Sequence, residues 1–327
     1  MRDSTVGTIA PRQSLPDSPV PFPADLYSDG HIAVGLTPKF PLVPRWATVA
    51  EVPDRLLPPI PVYDCLRTPS PPRIDGVLHD DVWGRAHWSE PFGAIGDGVR
   101  NGHETRVALL WDDTHLYAAY RVTDPDIRAF STMHHDQVYM TDDDVEIFVE
   151  GDGGYYELGV NAINTVYEYR WTWVQTLVER GDWAGLEALF KLPDFLYYTA
   201  RASETLGRVG EMDFDLAGLT HAVQVSGTLN RPHDVDQGWT AEIAIPWAGL
   251  ASIGRTPQPF PPAPGDTIRI QAYRAQHDWN DPERAARLAQ SWPGATPFLG
   301  HAWSAMGNGN VHNPERWVPV RFVDACG

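Results

Sequence analysis

Cysteine is almost missing from this chain: its 327 residues include only Cys65 and Cys326. No CxxC or CxxH spacing exists, which excludes a structural zinc site of the usual finger type. The two cysteines sit near the ends of the region with strand patterning, where first and last strands can meet. A disulfide and two reduced thiols both stay open. Long apolar runs are missing too. Nowhere do eighteen apolar residues follow one another, so no membrane-spanning helix is expected. The opening MRDSTVGTIAPRQSLPDSPVPFPADL has no apolar stretch before its prolines begin, so no secretory leader is visible and a cytoplasmic location is expected. Positive charge is in short supply, with 25 Lys and Arg against 43 Asp and Glu, a formal net charge of −18. Such a field repels phosphates, so neither nucleic acid nor a membrane is an expected partner. Neutral ligands and cations remain. Helical periodicity is scarce, confined to 182–192, 247–253 and 282–290, and no repeat of fixed period is present.

What is there is globular, with 43% hydrophobic and 11% aromatic residues, enough for a sizeable core in a chain this long. Prolines crowd residues 1–62, in runs such as Pro19-Val-Pro-Phe-Pro23 and Leu57-Pro-Pro-Ile-Pro61. Proline fixes φ and removes a ladder donor, so this stretch is no sheet interior. It also carries Phe22, Leu26, Phe40 and Trp46, which a purely solvated linker avoids. An extended arm is expected here, laid over the domain or over a neighbouring subunit, which would make a homo-oligomer.

From residue 63 to 327 the pattern becomes short alternating runs between turn residues, the mark of a β-sandwich or barrel. Arg106–Trp111 and Leu116–Val122 form a predicted hairpin across Asp112-Asp113. Asp144–Glu150 and Tyr155–Asn161 form another across Gly151–Gly154. Strands are also expected at Gly238–Ile245, Thr267–Arg274 and Trp317–Val323. Strand periodicity puts Val145, Ile147, Val149, Tyr156, Leu158 and Val160 on a core face. Asp144, Glu146, Glu157 and Asn161 then share the opposite face, and Glu242 projects likewise from its own strand. Carboxylates and amides gathered on one face suit a sugar, whose hydroxyls both donate and accept. Residues 165–236 read as a long aromatic insertion with Trp171, Trp173, Trp183, Phe190, Phe195, Tyr197 and Tyr198. Its rings either stack on a ligand or form a satellite core. Trp171 and Trp173 are the favoured binders because they extend from the Asn161 strand.

Six motifs in order carry a resemblance. They are Ile74-Asp-Gly-Val-Leu-His-Asp-Asp-Val-Trp83, Leu110–Tyr117 with Val122-Thr-Asp124, Asp143–Phe148, Tyr155–Asn161, Trp239–Trp247, and His312-Asn-Pro-Glu-Arg-Trp317. Together they resemble the family 9 carbohydrate-binding modules and their DOMON-like relatives. The resemblance implies an all-β, antiparallel two-sheet sandwich of immunoglobulin or jelly-roll type that binds carbohydrate, with Glu146 at the family's acidic ligand position. Where that family can place stacking tryptophans this chain has Met140, with Tyr139 adjacent, and Val311, beside His312. Tyr139 and His312 therefore join the candidate ligand set.

Further expectations concern metals and catalysis. Oxygen-rich turns suit calcium, and Asp142-Asp143-Asp144 is the densest run, with Asp142 and Asp143 as candidate ligands. The resemblance implies structural calcium as well, although no EF-hand spacing is present. His134-His135-Asp136 with His312 offers a transition-metal or general-base site, but adjacent histidines on a strand face opposite ways, so at most one would serve. The alternative is a polar loop. A sugar-cleaving enzyme would need paired carboxyls, taken here as Glu146 and Glu242. A haem-binding reading, from the DOMON-like relatives, would use Met140 in a chain whose only lysines are Lys39 and Lys191.

Overall fold

The computed structural model describes residues 52–78, 81–100, 102–198, 207–231, 233–254, 260–277 and 298–324. Most of the expected arm (residues 1–51), the helix expected at 282–290 and Cys326 lie outside the described residues.

Among the described residues, period-2 alternation builds fourteen strands. In chain order they are β1 (Tyr63–Arg67), β2 (Gly93–Ala94), β3 (Thr105–Trp111), β4 (His115–Thr123), β5 (Asp144–Glu150), β6 (Gly154–Asn161) and β7 (Val166–Trp173). Then follow β8 (Phe195–Tyr198), β9 (Arg208–Glu211), β10 (Thr220–Ser226), β11 (Gly238–Pro246), β12 (Thr267–His277), β13 (Phe298–Ala302) and β14 (Val318–Val323). Among the described residues the α-helices are short: α1 (Val174–Arg180), α2 (Trp183–Leu189) and α3 (Trp247–Leu250), with 3-10 turns elsewhere. Among the described residues no helix is long and apolar enough to cross a membrane.

The strands hydrogen-bond in the order β10-β11-β4-β3-β1-β14-β12-β5-β6-β7-β9-β8, and β13 and β2 branch from β12. The sheet is mixed, which corrects the antiparallel expectation. β1 runs parallel to both neighbours, Tyr63 opposite Val320 on β14 and Leu66 opposite Leu110 on β3. Alternation says which face a side chain takes but nothing of strand direction, which the long connections around β1 decide.

One face of β1, β3, β4, β5, β6, β11, β12 and β14, with Val166 of β7, feeds the main core. Val107, Leu109 and Trp111 of β3, Val145, Ile147 and Val149 of β5, Tyr156, Leu158 and Val160 of β6, and Ile243 and Ile245 of β11 meet there, with Cys65 among them. The core-facing alternation expected for β5 and β6 therefore holds. A charged network closes one end of this core. Arg274 on β12 is fully buried, with Nη1 donating to Thr123 O (2.9 Å) and Thr105 Oγ1 (3.2 Å). Its Nη2 lies 3.2 Å from Asp124 Oδ2 and 3.7 Å from Asp143 Oδ2. Residues 52–62 are fastened to the 307–316 region, where Val52 N donates to Gly307 O and Arg316 Nη2 donates to Pro58 O.

The stretch expected as an aromatic insertion is in large part sheet. β7, β9 and β8 extend the edge beyond β6, and β10 covers β11. The satellite-core alternative holds for the part beyond β7, where Phe195 and Tyr197 pack with Val174, Val178, Leu186 and Val209, and Trp183 and Phe190 flank them. Helix α2 is capped as its sequence requires, Asp182 Oδ1 accepting from Gly185 N at 2.9 Å.

Candidate functional site

The site is laid out in rungs across neighbouring strands. Tyr273 on β12 lies opposite Glu146 on β5, Glu146 opposite Gly159 on β6, and Gly159 opposite Tyr167 on β7. One rung on, Gln271, Phe148, Glu157 and Tyr169 stand in line. In the next, Glu150, Tyr155, Trp171 and Gly210 do. Because side chains alternate, all of these project from the face opposite the main core. Gly159 has a steric reason to be glycine. A Cβ there would stand 2.2 Å from Tyr167 Cε1, so its absence lets the Tyr167 ring lie across β6 toward the acids.

The result is a cavity lined by Glu146, Glu157, Tyr169, Trp171, Tyr273 and His312, with Tyr139, Leu196, Phe298, Gly309 and Val311 at its borders. Its empty volume is about 540 Å³, a figure that takes in the open solvent at its mouth. Tyr155 supports the floor, stacked on Trp171 at 5.6 Å between ring centroids with an interplanar angle of 17°. The Tyr155 hydroxyl and His312 Nδ1 are 2.8 Å apart.

Both acids are nearly inaccessible, and burial dominates their chemistry. Glu157 Oε1 accepts from the Tyr167 hydroxyl at 3.1 Å and Oε2 from Trp171 Nε1. His312 Nδ1 is 3.8 Å from that same Oε2. Burial raises the Glu157 carboxyl to about 7, and the bonds from Trp171 and Tyr167 and the charge of Arg208 hold it from rising further. Burial likewise pushes Glu146 well above the carboxylate range, with the charges of Asp144 and Glu157 adding and the Tyr167 hydroxyl opposing. A carboxyl that keeps its proton at neutral pH can donate as well as accept.

Of the residues expected to bind ligand, the structure brings together Glu146, Glu157, Trp171, Tyr139 and His312. Asp144 stands behind them, fully buried beside Ala275, where it acts on Glu146 through its charge. Asn161 does not line the cavity. Its Nδ2 donates to Asp142 Oδ2 (2.8 Å) and Ser131 O (3.0 Å), and its Oδ1 accepts from Ile163 and Thr165, which shapes the β6–β7 turn. Trp173 packs against the same aromatic cluster, 5.2 Å from Tyr155 between centroids, without lining the cavity.

Glu242 corrects the paired-carboxyl reading. Its Oε2 accepts from Asp75 N (2.9 Å) and Gly76 N (2.7 Å), and its Oε1 from Trp83 Nε1 (2.7 Å). It fastens the 74–83 segment to β11 and takes no part in the cavity with Glu146. Met140 is buried and also absent from the lining.

The three adjacent aspartates do not converge as one metal cage. Asp142 Oδ2 accepts from Ser131 N (2.9 Å) and Asn161. Asp143 turns to Arg274 and to the backbone of His277, and Asp144 Oδ1 accepts from Ala275 N (3.3 Å). Asp142 Oδ1 and Asp144 Oδ2 are left buried without a hydrogen-bond partner.

Tyr167, Tyr169, Tyr273 and Phe298 escaped sequence reasoning. For the first two a signal existed, since Tyr167-Glu-Tyr-Arg-Trp171 alternates and puts three rings on one face. Tyr273 and Phe298 arrive from strands remote in sequence.

The fold and site together define a mostly β protein with an acidic, aromatic-walled cavity on one sheet face. Residues 74–181 match the family described as "Carbohydrate family 9 binding domain-like". No curated protein matches the chain by sequence. Among solved structures it is similar to a family 9 carbohydrate-binding module from Caldicellulosiruptor kristjanssonii in complex with cellotriose. That similarity has 14% identity and a TM-score of 0.46, and covers 81% of this chain and 95% of the other. It is also similar to a putative carbohydrate-binding protein from Bacteroides uniformis, with 15% identity, a TM-score of 0.49, and coverage of 80% and 97%.

Proposed function

We propose that the chain is a carbohydrate-binding protein, built as a two-layer sandwich, whose cavity holds a sugar between Glu146, Glu157 and the Trp171 wall. The observation that carries this is the pairing of two buried carboxyls with aromatic faces in one cavity. A sugar has that dual character, polar hydroxyl edges and apolar C–H faces. The family match over 74–181, which includes Glu146, Glu157 and Trp171, supports the same reading. The neighbour from Caldicellulosiruptor kristjanssonii is described in complex with cellotriose and, in a second structure, with glucose, so a glucose-containing glycan is the first probe. In a glycan panel read by thermal shift and calorimetry, at least one sugar should bind, and Glu146→Ala should abolish that binding while the variant stays folded. Retained affinity in Glu146→Ala would place the ligand elsewhere. Product formation from any glycoside would favour the enzyme reading instead.

A calcium ion beside Asp142 and Asp144 is a second, subordinate proposal. Its support is the two buried, unpartnered oxygens, Asp142 Oδ1 and Asp144 Oδ2, since a cation relieves such a pair. Chelator should then lower the melting temperature, with calcium restoring it better than magnesium. Identical melting curves, with no calcium found by elemental analysis, would mean that a proton does this work.

A further inference from the structure

Adjacent histidines on a strand face opposite ways, but His134 and His135 are not on a strand. They sit in a tight turn closed by Asp136 N donating to Met133 O (3.0 Å) and Met133 N donating to Asp136 Oδ2 (3.0 Å). His135 takes the left-handed conformation, φ 68°, while its N–H is pinned to Val166 O at the start of β7 (2.9 Å). The left-handed residue turns both imidazoles to the same side, with ring centroids 4.0 Å apart. From the loop after β9, Asp215 brings a carboxylate to them. Its Oδ1 is 2.6 Å from His134 Nε2 and 3.3 Å from His135 Nε2. These three ligand atoms all lie within 4.8 Å of one another, the sole such grouping among the described residues.

We propose that His134, His135 and Asp215 form a binding site for a divalent transition-metal ion of the zinc class. Two imidazole nitrogens and one carboxylate oxygen suit zinc, copper or nickel and do not suit calcium or magnesium, which prefer all-oxygen shells. Three protein ligands with water in the remaining position is a common zinc arrangement. His134 and Asp215 are exposed and His135 is half-buried, so solvent can complete the shell and an ion can enter.

His135 Nδ1 is buried without a hydrogen-bond partner, which leaves Nε2 as the ligand atom.

The site is separate from the sugar cavity. On β7, Glu168 is in electrostatic reach of His134 and Asp215, and it accepts from the Tyr156 hydroxyl and Leu216 N. Its neighbours Tyr167 and Tyr169 belong to the cavity side. Bound metal would tie the 131–136 turn to the 212–216 loop, segments distant in sequence, so binding should also stabilise the fold by mass action.

Calorimetric titration of the chelator-treated full chain with ZnCl₂ should give one site per chain and a raised melting temperature, neither reproduced by magnesium. His135→Asn, which tolerates the left-handed backbone, and Asp215→Asn should each weaken zinc binding at least about tenfold. His87→Gln, at an exposed histidine outside the cluster, should leave it unchanged. Absence of stoichiometric zinc binding would overturn the proposal. So would zinc binding that survives both cluster variants, because the ion would then sit on other histidines.

Discussion

Replacing Arg274 by methionine is expected to cost about 3–5 kcal/mol of folding stability, the range found when one partner of a buried ion pair is removed. The guanidinium is fully buried between Asp124 and Asp143, themselves nearly inaccessible. Methionine fills much of the volume, so the loss reports the charge and the two bonds to Thr123 and Thr105, not a cavity. The Nη2–Asp124 contact has the distance of an ion pair and is too oblique for a hydrogen bond. Burial drives the Asp143 carboxyl up, the charge of Asp124 adds, and Arg274 is the main opposing influence. Without Arg274 at least one of the two aspartates must take a proton or draw in water. Denaturant unfolding should show a lower midpoint with an unchanged slope. Adding Asp143→Asn should return part of the loss. A cost under about 1 kcal/mol would mean that the network is solvated and the pairing weak.

Glu157→Gln should make the protein relatively more stable as the pH rises. The folded-state carboxyl titrates at about 7, raised from 4.5. A raised acid contributes stability that is fully present below the unfolded value and is lost as the pH climbs through the folded one. The size is about 3 kcal/mol, since each pH unit of separation corresponds to about 1.4 kcal/mol. Glutamine keeps one acceptor oxygen where the carboxylate offers Oε1 to Tyr167 and Oε2 to Trp171, a loss that does not depend on pH, and it cannot ionise. The stability difference between variant and parent should therefore move by about 3 kcal/mol in the variant's favour between pH 4.5 and pH 8. Taking this difference isolates Glu157 from Glu146 and Asp144, which burial raises in the same direction. A difference that does not change with pH would show that the carboxyl is ionised throughout, held by Arg208 and its hydrogen bonds.

The pH dependence also bears on the proposed binding site. Energy held in buried carboxyls is a cost to folding at neutral pH, and a ligand that supplies hydroxyl partners offsets part of it. Sites that bind polar ligands commonly sit on such locally unfavourable arrangements. Here the aromatic floor of Tyr155, Trp171 and Trp317 keeps the acids positioned while they stay poorly solvated.

Some of the site was legible because strand periodicity is local. The facing of Glu146 and Glu157 away from Val145, Ile147, Leu158 and Val160 follows from a period of two and needs no knowledge of topology. Trp171 followed by extension along the chain. Asn161 satisfied the same periodicity but ends its strand, so the turn takes its side chain. Glu242 shows the matching limit. Alternation correctly faced it away from Ile243 and Ile245, but a curved sheet has outer surfaces in several places, and this one is covered by Trp83 and the Asp75-Gly76 backbone.

By itself the sequence determined the β-rich class, the approximate extents of β3, β4, β5, β6, β11, β12 and β14, the core-facing residues of β5 and β6, and a resemblance to family 9, because hydrophobic periodicity and short motifs act over a few residues. Only the tertiary structure decided the rest. It ran β1 parallel between β3 and β14, and it set Arg274 against Asp143, although in sequence the nearest arginine is Arg128, which instead pairs with Asp126. It brought Tyr273 and Phe298 to the cavity and turned His134 and His135 to one side through a single left-handed residue. The physical reason is common to all of these. Strand direction, charge pairing across distant strands and one positive φ are fixed by how the whole chain closes around its core, and no local pattern of residues encodes that closure.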